Sequence, residues 1–389
     1  MKRILILIAG WCICAVCLAQ NTMETLLWEI EQNNPDLQAA AAALDRERFE
    51  NRSEALLADP EVEFNYLWGA AGIGDRHDVR ITQSFDLPTL SGKRSGKAAS
   101  LDELSALDYE AQRLALRQEA RSVCIDLVYY SQLLKELTGR LARTDTLVRA
   151  YERRMRAGGA TILDLNKAKL SQASVQGQFD HADNERKALW SRLLALNGGR
   201  EPGFSPESYD PDTLPADFDS WFAEAAEKNP VLAYVREEVA LEEQQLVIDR
   251  QAMMPELTVG YMSEIRTAEK FRGVTVGLNI PLWSSANRVR RSRAGVAAAK
   301  SRQDAAEQEF CQRLRDLYRQ AAALKDHAAK MRASLADADY RDYLLTALTR
   351  GEISMIDYLV EMDLYNEALE QALNAEREYR HALAALEVF

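Results

Sequence analysis

The residues spaced regularly enough to act together are carboxylates. Glu61 and Glu63 alternate with Val62, Phe64, Tyr66 and Trp68, and Asp78 and Asp86 alternate with Val79, Ile81, Phe85 and Leu87 around a single cation, Arg80. Glu256 and Glu264 recur in a similar setting beside Leu257, Val259, Tyr261 and Ile265. Carboxylates strung along one face attract and pass cations, or they are simply solvated charges; nothing in the pattern makes an acid–base pair. The usual catalytic side chains are scattered. His77, His181, His327 and His381 each stand alone, with no HExxH, no GxSxG elbow and no phosphate loop. No enzyme activity, cofactor or metal centre is expected. Met253, Met254 and Met262 read either as packing material or as a soft-metal path.

These carboxylates lie on strands, since alternation with period two is the mark of a half-buried strand. Four such strands are expected, at about 60–68, 78–87, 256–265 and 273–282, the last carrying Val274, Val276, Leu278, Ile280 and Leu282. The hairpins turn at Gly69 to Arg76 and Arg266 to Arg272. Each strand has one apolar and one polar face, and aromatic residues (Trp68, Phe85, Tyr261, Trp283) lie in or beside them. An ordinary half-buried sheet would look the same in any one strand. About ten residues, however, is the length that crosses a bilayer with tilt. Four strands cannot close a barrel, and open edges are not tolerated in lipid, so association is expected, with three copies supplying about twelve strands.

Elsewhere the pattern is helical. Val123, Leu127, Tyr130, Leu134, Leu137, Leu141, Thr144, Val148, Tyr151 and Met155 follow a four-three spacing, as do Phe310, Leu314, Leu317, Ala321, Leu324, Ala328, Met331 and Leu335. That average of 3.5 is a coiled-coil seam. A helix from about Gly92 to Arg156 would be roughly 100 Å long.

The chain also repeats itself. Asn34-Pro35-Asp36-Leu37 returns as Asn229-Pro230-Val231-Leu232, and Pro60-Glu61-Val62 as Pro255-Glu256-Leu257. Asp86-Leu87-Pro88 returns as Asn279-Ile280-Pro281. Gly158 with Ala160-Thr161-Ile162-Leu163-Asp164-Leu165 returns as Gly351 with Ile353-Ser354-Met355-Ile356-Asp357-Tyr358. The reading is a tandem duplication, 20–199 and 218–389, joined by a proline-rich linker at 200–217. In each hairpin a glycine ends one helix, Thr161 or Ser354 caps the next, and Asp164 or Asp357 meets its positive end.

Met1-Lys2-Arg3, an apolar run from Ile4 to Leu18 and Ala19 read as a secretory signal peptide over 1–19. The run is shorter than the roughly 20 residues a spanning helix needs, so no membrane helix is expected after export. A membrane anchor and a lipid-modified Cys17 are the alternatives. Of five cysteines only Cys124 and Cys311 would remain, too few for a disulfide framework; whether they pair is open. Net charge is -12, falling to -14 without Lys2 and Arg3, and argues against nucleic acid. Glycine (18) and proline (10) are sparse among 389 residues, which favours long helices.

With these features in place the sequence resembles the TolC family of outer-membrane efflux proteins. The likeness rests on the Asn-Pro pairs, on Pro88 and Pro281, and on the doubled signature Arg156-Ala157-Gly158-Gly159-Ala160-Thr161-Ile162-Leu163-Asp164-Leu165 and Arg350-Gly351-Glu352-Ile353-Ser354-Met355-Ile356-Asp357-Tyr358. It implies a mainly α fold in which coiled-coil hairpins form a periplasmic tunnel and four strands per chain enter a trimeric barrel. By resemblance Arg156, Gly158, Thr161, Leu163, Asp164, Arg350, Gly351, Ser354 and Ile356 form the tips where a periplasmic membrane-fusion adaptor docks. Asp357, with Glu361, stands where the duct narrows; Val360 replaces the second acid that TolC itself carries there. Glu61, Glu63, Asp78, Arg80, Asp86, Glu256 and Glu264 would line the barrel. The implied partners are two more copies of the chain, outer-membrane lipid, the adaptor, and an inner-membrane pump of the RND or ABC type. The implied role is passive export of small molecules or metal ions. A duct for type I protein secretion and a periplasmic coiled-coil scaffold are the rival readings.

Overall fold

The Asn-Pro pairs show how the helices are laid out. In the computed structural model, which describes residues 23–386 apart from 71, 73, 86–87, 204, 206, 210, 212–213, 267–268, 281–286 and 338–339, each pair joins two helices. Helix α1 (Met23–Asn33) is followed by α2 (Pro35–Glu54), and α5 (Phe218–Lys228) by α6 (Pro230–Gln251). The Asn34 side-chain oxygen accepts from the Leu37 N–H at 2.9 Å, and that of Asn229 from the Leu232 N–H at 3.0 Å. Proline at the first helical position gives up an N–H that would have had no partner there. Asn34 also donates to the Leu196 carbonyl at 2.9 Å, tying this junction to the end of a later helix.

The remaining elements are β1 (Glu61–Leu67), β2 (Arg76–Phe85), α3 (Pro88–Arg156), α4 (Ile162–Leu196), β3 (Glu256–Arg266), β4 (Glu269–Asn279), α7 (Arg288–Asp337), α8 (Arg341–Arg350) and α9 (Met355–Leu386). They form two compact units, Met1–Gln38 with Arg113–Phe222 and Gln312–Phe389, and Ala39–Gln112 with Ala223–Cys311. Among the described residues no helix is long and apolar enough to cross a membrane. The expected leader, Asp86, Leu282 and Trp283 lie outside the described residues.

The first unit is helical. The seam expected on α3 is its core: Val123 and Leu127 pack with Leu26, Leu27 and Ile30 of α1 and with Leu193 and Leu196 of α4. Further along, Leu134 and Leu137 meet Val175 and Ala182. The second seam holds as well, with Phe310, Leu314, Ala321 and Ala328 buried. The long helix of the second half is interrupted, α7 ending at Asp337 and α8 starting at Arg341, where Tyr340 gives no side-chain cap. Cys124 is buried and Cys311 half-buried, and neither is in a disulfide.

The second unit carries one antiparallel sheet in the order β1-β2-β3-β4. β2 and β4 begin at Arg76 and Glu269, earlier than the alternation suggested, and end at Phe85 and Asn279. The reason is that a backbone ladder does not need apolar side chains. Arg76 pairs with both Leu67 and Arg266, and Glu269 pairs with Arg266, although Arg76, Arg266 and Glu269 read as turn.

Each strand hairpin stands on two helices cross-linked by an aspartate. Asp249 of α6 is fully buried; its carboxylate accepts from Arg288 Nε at 3.0 Å, from Gln245 at 2.9 Å and from the Ser292 hydroxyl, so it holds the helix entering β3 to the one leaving β4. Asp102 of α3 does the same for the first hairpin, accepting from Asn51 at 3.0 Å with Arg52 3.7 Å away. Asp102 is partly exposed. Asp249→Ala, which removes a buried anion shared by Gln245, Ser292 and the half-exposed Arg288, should therefore lower stability by about 2 kcal/mol, and Asp102→Ala by about 1 kcal/mol or less. Urea unfolding followed by helical circular dichroism separates the two; equal losses would contradict the assignment.

Candidate functional site

The sheet sorts its side chains by face. Its pairing puts Glu63, Arg80 and Met262 in one row, and Asn65, Asp78 and Glu264 in the next, all on the same face. Glu61 and Glu256 share that face by alternation. The expected carboxylates and Arg80 are thus brought together, Asp86 alone being outside the described residues. Arg80 Nη1 lies 3.0 Å from Glu63, and Asn65 donates to both Glu63 at 3.1 Å and Asp78 at 3.2 Å. Asp78 is only 5% exposed. The sequence reading missed Arg76, which pairs with Glu264 at 3.0 Å on this face. Its position two residues before Asp78 carried the signal, masked by its assignment to the turn. Met262 also faces this way, its sulfur 3.9 Å from Arg80, while Met253 and Met254 are exposed where α6 ends. Even so, acids outnumber bases on the polar face.

The other face is apolar and open. Its rows run Val62, Ile81, Tyr261 and Val274, then Gln83, Val259 and Val276, then Phe85, Leu257 and Leu278. Val274, Val276 and Leu278 are each about two-thirds exposed or more, from 65% to 74%. Towards the turns the rows become aromatic: Tyr66 stacks on His77 with centroids 6.1 Å apart and meets Trp68 edge-on at 5.5 Å. An oily surface on this scale needs a covering.

In the helical unit the two hairpin tips share one core, in which Leu147, Val148, Tyr151, Leu165 and Ala168 pack with Leu344, Leu348, Met355, Tyr358 and Met362. Both turns close in the same way. Gly158 and Gly351 take φ of +74° and +78°, and the N–H groups beyond them return to the preceding turn, Gly159 to Arg154 at 2.8 Å and Glu352 to Ala347 at 2.9 Å. Thr161 and Asp164 form a reciprocal cap: the Asp164 N–H donates to the Thr161 hydroxyl oxygen at 3.2 Å, while Thr161 N–H and O–H donate to Asp164 Oδ2 at 3.1 and 2.7 Å. Ser354 and Asp357 repeat it at 3.2, 3.2 and 2.6 Å. The hydroxyl bond, then the backbone bond, holds both carboxyls below the usual aspartate range.

Around the caps the surface is mixed. Arg156 and Arg350 are exposed at the ends of α3 and α8, with Glu152 and Glu352 at 4.0 and 3.9 Å. Leu163 and Ile356 are also exposed. Glu361 lies outward on α9, its carboxylate 3.5 Å from the Tyr340 hydroxyl. Val360 and Leu364, each 60% exposed, continue from Ile356 one turn at a time, an apolar stripe beside Asp357 and Glu361 that sequence reasoning did not pick out. Its signal was present, since the buried partners Met355, Tyr358, Met362 and Tyr365 keep the four-three spacing and leave 356, 360 and 364 off the seam.

This arrangement matches solved channels over almost its whole length. The Campylobacter jejuni outer-membrane channel CmeC superposes with a TM-score of 0.80, covering 95% of this chain and 85% of that one at 14% identity. The open state of the Neisseria gonorrhoeae outer-membrane channel MtrE gives 0.78, covering 94% and 88% at 13% identity. The fold is that of the TolC family of outer-membrane channels. In the neighbouring channels of this fold, helices build a tunnel and strands contribute to a barrel. In sequence, the cobalt-zinc-cadmium resistance protein CzcC of Cupriavidus metallidurans is 25% identical over 269 residues, 67% of this chain and 62% of that one. No family model matches the chain.

The caps make the tips pH-dependent in one direction. A depressed carboxyl contributes fully above its unfolded pKa, and its contribution is lost as pH falls through the folded one. Exchange of the first amides of α4 and α9 should therefore quicken relative to the helix interiors as pH drops below the usual aspartate range. Asp164→Asn and Asp357→Asn should remove that pH dependence at their own tips, as read by hydrogen exchange; if it persists, other groups hold these helix ends.

Proposed function

We propose that the chain is the outer-membrane duct of a tripartite efflux system, a passive homotrimeric channel for metal ions or other small cations. The observation that carries this is the sheet: four strands with one exposed apolar face, one acidic face, and two edges without a partner among the described residues. Three copies around an axis would pair edge to edge, turn the apolar faces to outer-membrane lipid and enclose the acids. Conduction then needs no bond chemistry; the polar face replaces water around a cation weakly enough to release it. The resemblance to CzcC favours metal ions as cargo. In this reading 20–199 and 218–389 are two copies of one ancestral unit, and energy comes from an inner-membrane pump of the RND or ABC type.

The tips supply the remaining parts. Arg156, Leu163, Arg350 and Ile356 offer cations beside apolar side chains, which suits a periplasmic membrane-fusion adaptor with acidic and apolar contacts. Asp357, repeated by symmetry with Ile356 and Val360 beside it, would narrow the duct, and separation of the α8–α9 tips would widen it.

Planar-bilayer recording of the purified trimer tests the duct. Wild type should conduct with cations favoured, and Glu63→Gln with Glu264→Gln should lower the cation-to-anion permeability ratio severalfold, because the loss of acids leaves Arg76 and Arg80 uncompensated. An unchanged reversal potential would remove the acidic face from the lumen, and a water-soluble monomer that keeps its β signal would end the reading. At the other end, reversing Arg156 and Arg350 to Glu should abolish crosslinking to the adaptor while trimers persist; normal crosslinking would take these residues out of the docking surface.

A further inference from the structure

The apolar face of the sheet ends in two cations. Lys270 and Arg272 alternate with Val274, Val276 and Leu278 along β4, so they point to the same side as those residues, away from the acids. Pairing sets Lys270 in the row of Tyr66, His77 and Ile265, and Arg272 in the row of Phe64, Val79 and Ser263. No carboxylate stands in either row. Both cations are exposed, and neither makes an ion pair or hydrogen bond among the described residues.

The contrast lies on the opposite face at the same height. There Arg76 is matched to Glu264 and Arg80 to Glu63, each at 3.0 Å. The sheet thus matches two of its inward guanidiniums, Arg76 and Arg80, with its own acids, and leaves Lys270 and Arg272 without a counter-charge among the described residues. Solvent would suffice for isolated surface lysines. These two, however, top a column of apolar rows, and the Tyr66–His77–Trp68 cluster shares their level. Aromatic side chains at that position mark where hydrocarbon gives way to headgroups. From His77 to Phe85 the strand rises roughly 27 Å, or about 20 Å along the normal once tilted, which fits a barrel's apolar belt. Lys270 and Arg272 then sit at headgroup depth, where long stems lie along apolar surface and charged ends reach phosphate.

We propose that Lys270 and Arg272 bind a headgroup phosphate of an anionic lipid of the outer leaflet, one such site per protomer. The planar guanidinium of Arg272 grips two phosphate oxygens and the Lys270 ammonium supplies a point charge, while Tyr66, His77 and Phe64 pack on the lipid's upper chain and sugar or glycerol. The leaflet follows from topology: the strand turns lie at the opposite end of the sheet from the helices, and the helices are periplasmic in the reading on which this rests.

The experiment uses the full-length protein purified in dodecyl maltoside, titrated with diphosphorylated lipid A and, separately, with the dephosphorylated lipid, with bound lipid counted by native mass spectrometry. Wild type should retain the phosphorylated form preferentially. Lys270→Gln with Arg272→Gln should weaken that retention roughly thirtyfold, as expected for two cations at an anionic lipid surface, and leave the dephosphorylated form unaffected. Arg266→Gln, near the same level on the other face, should leave the retention of both lipids at the wild-type level. Equal retention by wild type and the double variant overturns the proposal, and so does displacement by millimolar inorganic phosphate, which would mark a site for free anions. Failure of the duct reading is distinguishable, since it shows as absent conductance, whereas here conductance should stay at the wild-type level in the Lys270→Gln, Arg272→Gln variant.

Discussion

Backbone without a partner among the described residues, at the two sheet edges, is the constraint from which the rest of the molecule follows. β1 and β4 each turn a row of N–H and C=O groups outward, and in lipid every such group left unbonded costs several kcal/mol. A handful of them exceeds the entire 5–15 kcal/mol that holds a typical domain folded. The apolar face excludes water as the remedy, because covering Val274, Val276 and Leu278 with lipid places the edges in lipid too. Only another edge of the same kind satisfies both demands at once. In the order β1-β2-β3-β4, all antiparallel, β4 of one copy in the proposed trimer would run opposite to β1 of the next, so the seam would continue the ladder without a change of rule.

A sheet that must meet its neighbours at a defined height needs a stiff support. The buried Asp249 cluster and its more exposed counterpart at Asp102 brace the helices beneath each hairpin, using charge where a side-chain core is thin. In the helical unit the coiled-coil seams provide apolar packing, and Asn34 bridges the α1–α2 junction to Leu196. The second half of the chain uses the same devices with one departure, the break between Asp337 and Arg341.

Much of this was legible because two periodicities were clean. Val62, Phe64 and Tyr66 against Glu61, Glu63 and Asn65 declare a strand, and Val123 through Met155 declare a seam, whatever the surrounding fold. The strand beginnings were hidden because Arg76, Glu269 and Lys270 pair through their backbones while their side chains read as turn. The helix break was hidden because Met331 and Leu335 keep the seam up to its edge. Asp249 was hidden for another reason: one acid among many on a helix gives no sign that it is buried. At the tips the glycine, the hydroxyl and the aspartate were legible as caps, since their spacing is the cap, but the stripe of Ile356, Val360 and Leu364 is seen only once the seam has been assigned a buried side.

The double assignment of Asp357, as a cap and as part of a constriction, would be a conflict if both needed the same atoms. They do not. The Ser354 N–H and O–H both bond Oδ2, and Oδ1 accepts nothing among the described residues, so the carboxylate closes its own helix with one oxygen and presents the other outward. Because the cap is local and exposed, the helix end stays closed whether or not α9 has neighbours from other copies. The apolar stripe behaves differently, since Ile356, Val360 and Leu364 gain only when something covers them. A tip built this way would keep its fold while contacts with other copies form and break, which is the property the proposed gate requires.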